Sequence, residues 1–148
     1  MTATNHAVTG ALVATFVHIP VLAIPLAFAS HFALDALPHF DYPASDCHSL
    51  KFFIWLVADI GFALSILTTL LILKPPGVYL LLTCSFVSMS PDLMWAYYIS
   101  YKRNVGIKNW PRIAKFHKLI QTHTNSKLWP VEMIWFITTG TLLASRLY

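Results

Sequence analysis

Charged residues are scarce in this chain. Only 11% of its 148 residues are Asp, Glu, Lys or Arg, against roughly 25% in a typical soluble domain. Hydrophobic residues make up 57% and aromatic residues 14%, and aromatic side chains gather at the interfaces of membrane proteins. The composition therefore argues against an ordinary soluble enzyme and indicates an integral membrane protein, with one compact domain over residues 1–148.

Several motifs of soluble catalysis are also missing. The chain has no Gly-rich phosphate loop, no Gly-x-Ser-x-Gly elbow and no Cys-x-x-Cys pair, so serine and thiol chemistry have no support. Its two cysteines, Cys47 and Cys84, lie in a loop and in an apolar run, and we expect no disulfide. No Lys or Arg precedes the first apolar run, so we expect no cleaved signal peptide.

Apolar runs separated by proline, glycine and polar residues predict an all-α membrane bundle of about five membrane helices. The runs cover residues 6–17, 20–37, 50–73, 78–100 and 129–147. The first two predict a short hairpin, with one long kinked helix as the alternative. Residues 111–124 alternate apolar residues with lysines, which predicts an amphipathic helix on the membrane interface.

The basic residues predict the orientation. Seven of the ten lie between Lys102 and Lys127, which places this segment on the cytoplasmic side. By alternation, residues 39–50 are also cytoplasmic, and residues 74–77 and the C-terminus are outside. Attraction to anionic headgroups, or topology alone, explains the basic segment, so we expect no nucleic-acid partner.

A short box from Ser30 to Asp41 concentrates polar groups in an apolar setting. His31 and Asp35 are four residues apart, so on a helix they lie on one face and can offer two ligands to one metal ion. Pro38 ends that helix and turns His39 and Asp41 back toward the same end. An isolated pair of this kind is explained equally well as a helix end with polar capping groups.

The other acidic residues favour the metal interpretation. When depth is counted from the cytoplasmic ends of the apolar runs, four acidic residues and several histidines fall in one layer. The acidic residues are Asp35, Asp59, Asp92 and Glu132. Packed carboxylates repel one another and take up protons, whereas a divalent cation removes the repulsion. The mixture of imidazole and carboxylate predicts zinc, one to three ions, with manganese or iron as alternatives.

Simpler explanations remain open for single residues. Asp59 can be a protonated carboxyl group bonded between helices, and Glu132 can favour a helix dipole. His123 can be a histidine at a helix end.

Four short motifs then occur in order along the chain. They are His6 followed by Gly10, the Ser-His-x-x-Leu-Asp-x-x-Pro-His box from Ser30 to His39, the pair Pro91-Asp92, and the stretch His117-Lys118…Thr122-His123. With these motifs the chain resembles the bacterial membrane-bound metal-dependent hydrolase family of the LexA-regulated inner-membrane type. The box is also similar to that of zinc-dependent phospholipase C and related nucleases.

The resemblance implies a cluster of zinc ions, held by side chains from several helices, that hydrolyses phosphoesters at the inner membrane of a bacterial cell, on the cytoplasmic side. Carried over residue by residue, the metal ligands are His6, His31, Asp35, His39, Asp92, His117 and His123. The sequence departs from the family in the six-residue spacing after His117, in Lys118 where the family has Arg, and in lacking a further acid or histidine just after Asp92.

We therefore expect a membrane-embedded hydrolase that cleaves a lipid or lipid-linked phosphoester through metal-activated water. Asp59 is the predicted catalytic base or orienting group. The predicted headgroup contacts are Lys102, Arg103, Arg112, Lys115 and Lys118. A divalent metal or proton transporter and a non-enzymatic membrane scaffold with a structural metal site are the alternatives.

Overall fold

The computed structural model describes residues 1–41, 49–100, 109–121 and 123–147, with the backbone alone for 94–100. The elements in these ranges are the helices α1 (Ala3–Phe16), α2 (Pro20–Asp35), α3 (Leu50–Leu73), α4 (Val78–Ser100), α5 (Arg112–Ile120) and α6 (Trp129–Leu147). Apart from one isolated bridge between His39 and Thr124, the described ranges contain no β-structure. The prediction of an all-α fold is confirmed.

Capping residues set the bounds of the first two helices. The Thr2 hydroxyl accepts a hydrogen bond from the Asn5 amide at 3.4 Å, so α1 begins three residues before the predicted start. It ends at Phe16, and Pro20 begins α2, because proline suits the first helical position. The two helices pack against each other, so of the two expected alternatives the hairpin is the one that forms.

A tight turn joins α3 to α4. The Ser49 hydroxyl caps α3 by accepting from the Phe52 amide at 3.1 Å. Lys74 ends the helix in the left-handed conformation with φ 47°, and Gly77 follows with φ 71°. This short connection makes α3 and α4 antiparallel neighbours, and both helices have the predicted bounds.

The central helix is α1, which contacts α2, α3, α4 and α6. Its buried face is made largely of small residues such as Ala7, Gly10 and Ala11, which let helix backbones approach closely. The backbones of α1 and α4 lie close together at Gly10, where a Cβ atom would lie 2.4 Å from the carbonyl oxygen of Cys84. Because His6 lies about one turn before Gly10, this contact fixes how near His6 comes to α4.

Apolar side chains cover the outside of α3. Among the described residues, α3 is the one helix long and apolar enough to cross a membrane, whereas α2 and the first part of α4 are apolar but shorter. The exposed residues of α3 include Phe53, Leu64 and Ile72. An apolar surface of this extent is rare on soluble monomers and supports association of the chain with a membrane.

The Gly10 contact generates a stability prediction. Gly10→Ala should lower the free energy of unfolding by about 1–3 kcal/mol, because the new methyl group pushes α1 and α4 apart. Thermal unfolding in detergent micelles, followed by circular dichroism, measures the effect.

Gly140→Ala is the matched control. Gly140 lies within α6, and apart from the adjoining backbone of its own helix no described atom lies within 4 Å of where a Cβ would be. Alanine there should therefore be neutral or stabilising by up to about 1 kcal/mol. Equal effects of the two substitutions would contradict the close contact between α1 and α4.

Candidate metal centre

Five separate segments bring polar side chains to one buried point. α1 supplies His6 from its first turn, and α2 supplies His31 and Asp35 from its last two turns. The remaining groups are His39 after α2, Asp92 on α4 and His117 on α5. The four histidines and Asp35 are all almost completely inaccessible to solvent.

The Asp35 carboxylate lies at the centre of this group. Its Oδ2 atom is 2.7 Å from His117 Nε2 and 3.2 Å from His31 Nε2. The Gln121 side-chain amide donates to the same oxygen at 3.1 Å. One oxygen of Asp35 therefore faces α5 and the histidine of its own helix.

The other oxygen of Asp35 faces α1 and the segment after α2. Its Oδ1 atom is 3.2 Å from His6 Nε2 and 3.9 Å from His39 Nε2. The amino group of Met1 donates to this oxygen at 2.6 Å. The two oxygens of the Asp35 carboxylate thus face two different pairs of imidazoles.

Asp92 repeats this arrangement from α4 at longer distances. Its Oδ1 atom is 3.7 Å from His31 Nε2 and 3.8 Å from His117 Nε2, and its Oδ2 atom is 3.9 Å from His6 Nε2. Its side chain is 33% exposed, whereas that of Asp35 is fully buried. One ligand atom from each of His31, Asp35, Asp92 and His117 lies within 4.8 Å of the other three, so this group can hold a metal ion.

Backbone carbonyl groups orient two of the imidazoles. His31 Nδ1 lies 2.8 Å from the Ser88 carbonyl oxygen, and His39 Nδ1 lies 2.7 Å from that of Leu37. A carbonyl oxygen only accepts, so each Nδ1 atom carries the proton and each Nε2 lone pair points to the cluster. Metal-binding histidines are commonly oriented in this way.

His39 lies after the end of α2 and does not belong to a helix. It is held by backbone bonds to the segment before α6: its amide donates to the His123 carbonyl oxygen at 3.3 Å and its carbonyl accepts from Asn125 at 3.1 Å. Burial lowers the pKa of the His39 imidazole below its ordinary value, because desolvation disfavours the charged form. A neutral imidazole is the form that binds metal.

Two carboxylates hold the first turn of α1. Glu132 Oε2 accepts from the Thr2 amide and hydroxyl at 3.1 and 2.9 Å and from the Asn5 side-chain amide at 2.7 Å. Asp59 accepts from the Ala3 and Thr4 amides at 2.7 and 3.1 Å. The free amides of a helix N-terminus favour acceptors of negative charge, so these contacts fix the helix that carries His6.

The structure brings together six of the seven predicted ligands. The His123 side chain is exposed, and this residue contributes its carbonyl group to the hydrogen bond with His39. Asp59 belongs to α3 and contacts the first turn of α1. Its predicted catalytic role stays a prediction. Of the predicted headgroup contacts, Arg112, Lys115 and Lys118 are exposed on α5, whereas Lys102 and Arg103 lie outside the described residues.

Sequence reasoning missed Gln121 and the Met1 amino group. Gln121 Nε2 lies 3.1 Å from both Asp35 Oδ2 and His117 Nε2. A signal for Gln121 was present, because it follows His117 by four residues, the spacing that places two side chains on one face of a helix. No local pattern pointed to Met1, whose position depends on the packing of α1 against α2.

Comparison of the chain with protein-family models, with curated proteins and with solved structures found no match.

The contacts of Glu132 with the start of α1 generate a further prediction. Glu132→Gln should lower the free energy of unfolding by about 1–3 kcal/mol. Glu132 Oε2 accepts from Thr2 and Asn5, and Oε1 accepts from the Phe40 amide at 3.2 Å. The glutamine NH2 group that replaces one of these oxygens cannot accept its bonds. Chemical unfolding in micelles measures the effect, with Lys127→Gln as a control that removes one surface charge near the same helix. If Glu132→Gln matched the control, the contacts to α1 would carry no stability.

Proposed function

We propose that the chain is a membrane-embedded metal-dependent hydrolase that cleaves a phosphoester bond of a lipid or lipid-linked substrate. The single observation that carries this proposal is the Asp35 carboxylate, buried among imidazoles that point their ring nitrogens at both of its oxygens. Burying an anion is costly unless cations and hydrogen bonds surround it. The resemblance to membrane-bound metal-dependent hydrolases points to the same chemistry.

The two oxygens of Asp35 favour a site for two ions, with this carboxylate between them. His31 and His117 would hold one ion, together with Asp92 Oδ1. His6 and His39 would hold the other, on the side of Asp35 Oδ1. Mixed imidazole and carboxylate ligands of this kind would suit zinc.

A bound divalent ion would supply an activated water molecule and neutralise charge on the phosphoryl oxygens. The chain's own contribution is to hold and orient the ligands and to exclude bulk water. Asp92 is 33% exposed whereas Asp35 is fully buried, so substrate would meet the centre on the side of Asp92. Asp59 remains the candidate for the general base or an orienting group, since it lines the same cavity as Asp92.

A multi-pass membrane arrangement accompanies this proposal. In it about five helices cross or enter a bacterial inner membrane, and the metal centre faces the cytoplasmic side. α5 would lie on the interface, because Ile113, Phe116 and Leu119 are exposed on it beside Lys115 and Lys118. Those basic residues would attract the anionic headgroup of the substrate.

Metal content tests the centre directly. Purified protein, dialysed against zinc and then against buffer, should retain one or two ions per chain by elemental analysis. Asp35→Asn should lose most of this metal, because it removes charge from the group that both ions share. His18→Ala changes an exposed histidine and should retain the wild-type content. Metal-free wild-type protein after zinc loading would overturn the proposal.

Hydrolysis is tested separately in detergent micelles and vesicles. Zinc-loaded protein should release phosphate or a phosphorylated headgroup from one member of a panel of phospholipids and prenyl phosphates. His117→Ala should lower kcat/KM by at least about 100-fold, because loss of a group that only orients a ligand already costs about 10- to 100-fold. His18→Ala is again the control. Zinc flux into proteoliposomes without hydrolysis would favour a transporter instead.

A further inference from the structure

A cavity of about 320 Å³ lies between α3 and α4 and reaches the metal centre at one end. Ligand pockets in proteins have volumes of roughly 300–1,000 Å³. At the end near the metal centre it is lined by His39, Asp59, Asp92 and Gln121. Away from that end its walls are apolar, so the cavity is polar at one end and hydrocarbon-like along its length.

The apolar walls are two helix stripes that run in the same direction from the centre. On α3 the stripe is Ile60, Leu64 and Leu67, and on α4 it includes Phe86 and Met89. Spacings of three and four residues place such side chains on one helix face. Seven residues of helix measure about 10 Å, so the walls extend about that far from Asp59 and Asp92 toward the turn at 74–77.

The cavity is open on its outer side. Leu64 and Phe86, on opposite walls, are each 54% exposed. Leu64 lies on the helix that is long enough to cross a membrane, so the opening faces the depth at which lipid chains lie. A ligand can therefore arrive from the bilayer without crossing water.

We infer that this cleft binds one hydrocarbon chain of a membrane lipid and places the lipid's phosphate headgroup at the metal centre. The inference rests on the proposed function, because the phosphate is the group on which the ions would act. A peptide would bring amide groups against walls that offer no partners, which is costly. A small soluble anion would leave the apolar length unfilled.

Another cavity near the start of α1 does not compete for this role. It lies between α3 and α6, with a volume of about 380 Å³, and its lining includes Asp59 and Glu132 but none of the six clustered residues. A lipid chain bound there would have its headgroup at the start of α1, away from the metal centre.

Photocrosslinking tests the inference in the full-length protein. The probe is a single-chain phosphatidic acid with a diazirine near the end of its acyl chain, in nanodiscs of dioleoyl phosphatidylcholine. Peptide mapping should place the crosslinks on residues 60–67 and 86–93. Crosslinking spread evenly along the outer face of α3 would overturn the inference.

Matched variants on α3 sharpen the test. Leu64→Trp should lower crosslinking about tenfold, as expected when roughly two methylene groups lose their contacts in the cleft. Ile72→Trp makes a similar change at an exposed position that does not line the cleft and should leave crosslinking unchanged. Leu64 is itself on the exposed rim, so both variants should fold, which circular dichroism checks. Equal crosslinking in the two variants would overturn the inference.

Wild-type protein stripped of metal with a chelator separates this inference from the proposed function. Binding of the lipid chain depends on the apolar walls, so crosslinking at 60–67 and 86–93 should persist without metal or hydrolysis. Metal binding and hydrolysis in the wild type, with crosslinks outside the cleft, would overturn the chain site alone. Crosslinks in the cleft, with no metal in the wild type, would overturn the hydrolase alone and support the chain site.

Discussion

The burial of the Asp35 carboxylate is the constraint on which the rest of the structure depends. An anion removed from water costs several kcal/mol unless the surrounding groups compensate it. Here the Met1 amino group donates to one oxygen and the Gln121 side-chain amide to the other, and the Nε2 atoms of His6, His31 and His117 lie around both. Because these groups belong to different segments, the helices must dock in one arrangement for the carboxylate to be satisfied.

Other contacts in the bundle hold the helices in that arrangement. Gly10 lets α1 approach α4 closely, and the Ser88 carbonyl, one turn before Asp92, orients His31. Glu132 and Asp59 fix the first turn of α1. Removing any of these contacts would leave the ligands present but misaligned, and a metal centre tolerates little error in the position of its ligands.

Much of this could be predicted from the sequence, because proline, glycine and charge carry strong local signals in an apolar chain. Pro20 begins α2 and the Lys74–Gly77 turn ends α3, so those bounds came out correctly. His31, Asp35 and Asp92 were identified because a titratable side chain inside an apolar run is costly and rarely incidental.

The remaining features depend on contacts between distant segments. α1 begins at Ala3 because acceptors from α3 and α6 satisfy its first amides, and nothing within residues 1–10 reveals those partners. His123 sits six residues after His117, and the sequence could not show that its carbonyl group would meet His39 while its side chain faces outward. Gln121 was overlooked because an amide is common at a helix end.

The order of the contributing segments along the chain has a consequence for biogenesis. His6, His31 and Asp35 are synthesised early, whereas His117 arrives after about three quarters of the chain has been made. During that interval the ribosome holds a nascent protein whose central acid lacks one of its nearest partners. A chain truncated before α5 would lack the contacts of His117 and Gln121 with Asp35, and quality-control proteases that remove unstable chains would act on it.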